Sequence, residues 1–334
     1  MGAVDEILSL DNADLYRLRL DIPIPGYHDF ITPYLIRESG FGLVMGTGLY
    51  RTMLVDPGPA CGIPSLLKCL ESLSVRRIDY VLLTHVHIDH AGGLGELIAS
   101  YPGLKVVVHD RGRPHLLNPA KLWEGSLATL GHVAQAFGPI SPVPESNLMP
   151  QDRGVDGLRV LDTPGHAPHH QSYLFRLGEK DVLFAGEAAG AYFFGDYLRP
   201  ATPPRFFYDV TLASIDALAA AEASMACYGH YGVSSDVGRL LQDEKEQLAL
   251  WRSVIGEVVS AGDQPGSGQS VGGQSGGADG EDLDELTDAC LRRLLDRDPR
   301  LSEFRNLPPE VKEREAFYLR SSIKGFIGSM EVMG

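Results

Sequence analysis

The stretch "LLTHVHIDHAGG", residues 82–93, places His85, His87, Asp89 and His90 within six positions, directly after an apolar run. Imidazole and carboxylate at that density suit zinc, iron or manganese. No thiolate set competes, because Cys61, Cys69, Cys227 and Cys290 are dispersed and show no CxxC spacing. A sharp turn between strand and helix points alternate residues at two neighbouring positions. His85 and His87 then serve one metal, and Asp89 and His90 the other, with Gly92 and Gly93 permitting the close turn. Three more donors end strand-like runs: His166 closes "VLDTPGH", Glu187 closes "VLFAGE" and His230 closes "MACYGH". Strand ends along one sheet edge converge, so donors distant in the chain can meet in one cleft.

The elements that must position these donors follow from the hydrophobic pattern. "LYRLRLDIP" alternates as a strand, and "YRTMLVDPG" ends in a turn at Asp56-Pro57-Gly58. "IPSLLKCLESL" has helical spacing, while "IDYVLLTH" is the short apolar run of a strand covered on both faces. A helix from about Gly92 to Ser100, a strand at "LKVVVH" and a helix across "AKLWEGSLATLGHVAQAF" come next. A second strand series, a helix near "TLASIDALAAAEA" and a strand at "MACYGH" complete the pattern. Interleaving of this kind predicts an α/β protein with helix-covered sheets. Residues 1–240 are read as the catalytic unit and 241–334 as a helical tail, interrupted by a Gly/Ser/acid-rich loop at about 261–281.

The net charge of −15 disfavours a partner bearing many phosphates, so a small-molecule substrate and no nucleic acid are expected. No apolar run of 18 residues occurs, the first residues do not read as a secretory signal, and the dispersed cysteines fit a reducing compartment. These features predict a cytoplasmic protein with no membrane partner.

"HVHIDH" matches the HxHxDH signature of the metallo-β-lactamase superfamily, and His166, Glu187 and His230 fall in the order of that family's later ligands. The resemblance spans most of residues 15–235. It implies a four-layer αβ/βα sandwich, here with a C-terminal helical extension, and a two-metal site at the edge of the paired sheets. By matching position it implies His85, His87 and His166 on one metal, and Asp89, His90 and His230 on the other. Glu187 would bridge both, and Asp56 would orient a ligand histidine from behind. Most members carry Asp at the bridging position; Glu187 reaches roughly 1.5 Å further by bond geometry.

The activity implied is hydrolysis of a small ester-like substrate by a metal-bridging hydroxide, a thioester first, then a lactone or phosphodiester. Asp89 would orient the hydroxide and pass a proton to the leaving group. Two divalent transition-metal ions are expected, zinc before iron or manganese. The rival on the same fold is a di-iron oxygen-binding, redox or sensor protein, a reading that Glu187 favours.

The aromatic segment after Glu187 is read as a pocket wall, with Tyr192, Phe193 and Phe194 as lining residues and Arg199 and Arg205 as receivers of a substrate anion. His169 and His170 follow a ligand closely but lead into a strand and need not touch metal. The tail resembles the helices that cap the active-site mouth in glyoxalase II-type and thioesterase-like members; it offers a homodimer surface as the competing role.

Overall fold

The computed structural model describes residues 3–39, 50–149, 154–193, 197–262 and 278–331. The first sheet runs in chain order through β1 (Ala3–Leu10), β2 (Ala13–Arg19), β3 (Tyr34–Glu38), β4 (Arg51–Val55), β5 (Tyr80–Leu82) and β6 (Lys105–Val107). β1 to β4 pair antiparallel, and β4, β5 and β6 pair parallel. Later strands are β7 (Leu158–Asp162), β8 (Gln171–Leu177), β9 (Lys180–Gly186), the hairpin β10 (Ala191–Phe193) and β11 (Tyr197–Arg199), then β12 (Met225–Tyr228) and β13 (Val233–Ser234). The second sheet has the order β13-β12-β9-β8-β7.

Side-chain alternation explains why the central runs are apolar throughout. Along a strand, successive side chains face opposite sides. Tyr34, Ile36, Met53, Val55 and Leu82 point to a core shared with Tyr173, Val182, Phe184 and Cys227 of the second sheet. Their neighbours Leu35, Leu54, Val81 and Leu183 point outward, into the core beneath the helices. The result is the expected four-layer αβ/βα sandwich with a helical C-terminal region. The sheets are tied together near the strand ends: the Tyr173 hydroxyl donates to the Leu83 carbonyl at 2.6 Å, and Gln171 N–H to the Thr84 carbonyl at 2.8 Å.

The helices are α1 (Ile63–Ser72), α2 (Ile88–Ala91), α3 (Leu94–Ser100), α4 (Arg113–Leu117), α5 (Ala120–Leu130), α6 (His132–Phe137), α7 (Tyr208–Ala219), α8 (Val237–Gly262), α9 (Ala278–Arg297) and α10 (Pro309–Glu331). The helix expected across residues 120–137 is two helices. Gly131 takes a left-handed φ of +54° between them, which glycine adopts at little steric cost. The expected loop at 261–281 is helical at both margins, up to Gly262 and from Ala278; residues 263–277 lie outside the described residues. Among the described residues no helix is long and apolar enough to cross a membrane.

The C-terminal helices pack on one another and on the β10–β11 segment. Buried polar groups fix that contact: Gln247 donates to the Leu198 carbonyl at 2.8 Å and to Asp298 at 2.7 Å, where Trp251 Nε1 also donates at 2.7 Å. Ser322 Oγ of α10 donates to the Pro200 carbonyl at 2.8 Å.

Candidate metal centre

Four turns deliver the donors. β4 ends at Val55, and Asp56 follows in the left-handed region with φ of +47°. This places its carboxylate against the turn after β5: Oδ1 accepts from Thr84 N–H at 2.8 Å and Oδ2 from the Thr84 hydroxyl at 2.7 Å. Oδ2 also lies 3.1 Å from His90 Nδ1. The Thr84 hydroxyl, having donated to Asp56, is free to accept from His85 Nδ1 at 3.0 Å.

The same logic holds on the other strands. His166 Nδ1 faces the Ala201 carbonyl at 2.9 Å and His230 Nδ1 the Phe30 carbonyl at 3.0 Å. A carbonyl only accepts, so both Nδ1 atoms carry the proton. With Nδ1 committed in His85, His90, His166 and His230, each Nε2 is aimed at a common centre.

Glu187 occupies that centre. Its Oε2 lies 3.4 Å from His85 Nε2, 3.4 Å from His90 Nε2 and 3.0 Å from His166 Nε2, and its Oε1 lies 3.3 Å from His230 Nε2. Asp89 Oδ2 lies 3.5 Å from His90 Nε2 and 3.7 Å from His230 Nε2, and His87 Nδ1 lies 2.9 Å from His166 Nε2. Two donor groups result, His85, His87, His166 and Glu187 in one, and Asp89, His90, His230 and Glu187 in the other. Within each, the ligand atoms lie within 4.8 Å of one another. The structure thus brings together all seven residues singled out as ligands, in the two expected groupings, with Glu187 common to both.

The donor set fits a pair of divalent cations. His85 Nε2 and His90 Nε2 are buried without a hydrogen-bond partner, and an orphaned buried polar atom costs free energy that a cation would offset. Electrostatics point the same way. Burial, with His90 and His87 as neighbours, holds His85 well below its ordinary pKa, so it stays a neutral donor. His90 departs from this pattern: burial opposes its charge, but Asp89 and Asp56 outweigh it and raise its pKa well above the ordinary value, so a cation at Nε2 would have to displace a proton. Burial pushes the Glu187 carboxyl up, yet His166 and His230 hold it well below the usual carboxylate range.

One positioning residue is not evident from the sequence. His170 is fully buried, and its Nε2 accepts the Glu187 backbone N–H at 3.1 Å while Nδ1 faces the Thr163 hydroxyl at 3.0 Å. Close approach is possible because residue 186 is glycine: φ is +58°, and a Cβ there would meet His170 Nε2 at 2.5 Å. The only sequence signal is the doubled histidine after "TPGHAP".

A cavity of about 350 Å³ opens onto Asp89, Glu187, His87 and His166. α5 supplies Leu122 and Leu130 to its wall, α10 supplies Tyr318 and Ser322, and Arg199 also lines it. The tail therefore contributes to the wall of the site.

The other pocket residues are elsewhere. Phe193 is buried and packs edge-on to Tyr231 at 5.1 Å and beside Tyr197 at 5.8 Å, while Tyr192 packs on Tyr228 at 5.5 Å. Neither lines the cavity: Phe193 turns inward toward Arg314 of α10, and half-buried Tyr192, its neighbour on the strand, faces Tyr228 of β12. Arg205 is exposed and borders a separate groove with Phe207 and Val210. Phe194 lies outside the described residues.

A family model described as the metallo-beta-lactamase superfamily matches residues 47–230. The metallo-beta-lactamase fold-containing protein ST1585 of Sulfurisphaera tokodaii is 31% identical over 207 residues, covering 59% of this chain and 74% of that one. A hydroxyacylglutathione hydrolase of Cupriavidus taiwanensis is 30% identical over 217 residues, with 64% and 71% covered. The solved structure of the metallo-beta-lactamase family protein TTHA1429 from Thermus thermophilus overlays with a TM-score of 0.60 at 23% identity. That overlay covers 96% of this chain and 94% of that one, a likeness of fold that takes in the helical tail.

Proposed function

The chain belongs to the metallo-β-lactamase superfamily, a group of metal-dependent hydrolases, and from that premise we propose a binuclear hydrolase of a small thioester. Lactones and phosphodiesters rank after thioesters. The observation that carries the reading is Glu187, shared by two donor groups whose buried His85 and His90 Nε2 atoms have no other partner. His85, His87 and His166 would hold one divalent ion and Asp89, His90 and His230 the other. Such ions lower the pKa of water toward neutrality and polarise a carbonyl oxygen.

The chain's own groups do the rest. Asp89 lines the cavity and reaches both His90 and His230, where its carboxylate can orient a water, take the proton that water loses on attack and pass it to the departing thiolate. Asp56 and the carbonyls of Ala201 and Phe30 lock the imidazole tautomers, so no reorganisation is needed when substrate arrives. Leu122, Leu130 and Tyr318 give the wall an apolar stretch for the acyl or thiol arm. The thioester ranks first because a relative bears the name hydroxyacylglutathione hydrolase, and an acyl group on glutathione is carried by its thiol. A net charge of −15 supports small substrates over nucleic acid. Four free, dispersed cysteines support a reducing compartment such as the cytoplasm.

Metal quantification on freshly purified protein, followed by a panel of thioesters, lactones and phosphodiesters, tests the proposal. Two zinc, iron or manganese ions per chain with thioesters turned over fastest is the expected result. A chain that takes up no transition metal sinks it. Iron with a visible band that bleaches on reduction, and no hydrolysis, would replace it with the di-iron redox reading, in which a glutamate also bridges the metals.

Asp56→Ala is expected to lower metal affinity and turnover by about 10–100-fold, the usual effect of losing a group that orients a metal-bound histidine. The variant frees His90 Nδ1 and Thr84 N–H together. Metal retained after dialysis against a weak chelator checks it; wild-type retention would contradict the orienting role.

A further inference from the structure

Arg199 and Arg314 share one carboxylate. Arg199 Nε donates to Glu315 Oε2 at 2.7 Å and Arg314 Nε to Oε1 at 2.9 Å. The three side chains are buried, each at most 2% exposed. Two guanidinium groups and one carboxylate leave one positive charge unbalanced where little water reaches. Arg314 donates to the Gly26 carbonyl and lies over the Phe30 ring face, 4.4 Å away, and Arg199 lies over the Tyr318 ring at 4.9 Å. Each arginine still has a buried Nη2 with no hydrogen-bond partner, and of the two only Arg199 lines the cavity. Leaving a charged donor unmade inside a protein is costly, so such a group calls for an acceptor.

Nearby carboxylates do not supply one. Glu244 is buried, its own Oε2 lacks a partner, and burial with Asp298 close by pushes it up to about 8, so it is largely neutral at pH 7. Glu187 is engaged by the histidines. Arg199 also has an address. It lines the cavity that holds the donor groups, two residues before Ala201, whose carbonyl orients His166. Lys121 lines the same cavity from α5, exposed and with its ammonium unpaired among the described residues.

We propose that Arg199, assisted by Lys121, receives a carboxylate of the substrate, so that the compound hydrolysed is acidic and carries its anionic group close to the scissile carbonyl. This rests on the hydrolase reading of the same cavity and specifies its substrate class. Arg199 is the selective element, and Lys121 draws the anion toward the mouth.

The test uses the full-length, metal-loaded protein and does not depend on turnover. Glutarate and its monoamide, glutaramate, have nearly the same shape and differ by one charge; their binding is measured by calorimetry. Wild type is expected to prefer glutarate by about tenfold or more, the margin of a charge-assisted over a neutral hydrogen bond. Arg199→Met should erase the preference to within about twofold, and Lys121→Ala should reduce it about threefold, as a rim charge does. Arg199→Met leaves Glu315 paired with Arg314; if it nevertheless fails to fold, Lys121→Ala, on an exposed helix face, decides alone. Equal binding of the two probes to wild type, or a preference that survives substitution, would overturn the assignment. Failure of the hydrolase reading shows separately, as no turnover of any ester class whatever glutarate does.

Discussion

Glu187→Ala is expected to cut turnover by about a thousandfold or more, since several kcal/mol of transition-state stabilisation at tenfold per 1.36 kcal/mol amounts to three decades. No other substitution removes a donor from both groups at once: Glu187 lies within 3.0–3.4 Å of His85, His90, His166 and His230. Four imidazoles would then face one another without the carboxylate between them, and bound metal should fall below two ions per chain. The fold should survive, because Glu187 sits at the end of β9 and the His170 contact to its backbone N–H does not use the side chain. Glu187→Asp is the informative companion. It restores the residue that the resemblance leads one to expect, yet it withdraws the carboxylate by one methylene from donors placed around glutamate. A partial loss between wild type and Glu187→Ala is the expected outcome, read from kcat together with metal content. Full activity in Glu187→Ala would remove the basis of the two-metal reading.

The ligand set is legible in the sequence because each donor ends an apolar run, and strand ends are easy to recognise. Residues 82–93, "TPGH", "FAGE" and "CYGH" need no knowledge of tertiary contacts to be aligned along one edge. Asp56 is legible only through the resemblance; the structure adds the parallel strand β5, whose exit at Thr84 its carboxylate meets. What stays hidden depends on partners far away in the chain. Alternation within "AYFFG" does not say which ring turns inward, and Phe193 packs inward because Tyr231 and Phe30 are there to meet it. Arg199 reads as a receiver of a substrate anion, but nothing in the sequence tells that Glu315, 116 residues later, buries and holds it. His170 looks like a loop residue because its task, holding a backbone N–H, leaves no side-chain pattern. The break at Gly131 is masked by apolar spacing that continues in phase through both helices.

Glu315→Gln is expected to destabilise the fold by about 3–5 kcal/mol, the range for breaking a buried ion pair by removing one partner. The argument is one of charge count rather than of lost contacts. Wild type holds Arg199 and Arg314 around a single carboxylate; the variant leaves two buried guanidinium groups with no counterion between them. Burial already pushes the Glu315 carboxyl up, and the two arginines more than reverse it, holding it below its ordinary range. Arg199→Met should cost clearly less, because Glu315 keeps Arg314 and the local charge becomes balanced. Urea denaturation separates the two: Glu315→Gln shifts the midpoint downward by more than Arg199→Met at unchanged slope. The loss in Glu315→Gln should also reach the cavity, since Arg199 is anchored on α10 and lies two residues from the carbonyl that fixes His166. Equal shifts for the two variants would mean that solvent already screens the arginines, and the case for Arg199 as an unbalanced charge awaiting a substrate carboxylate would fall with it.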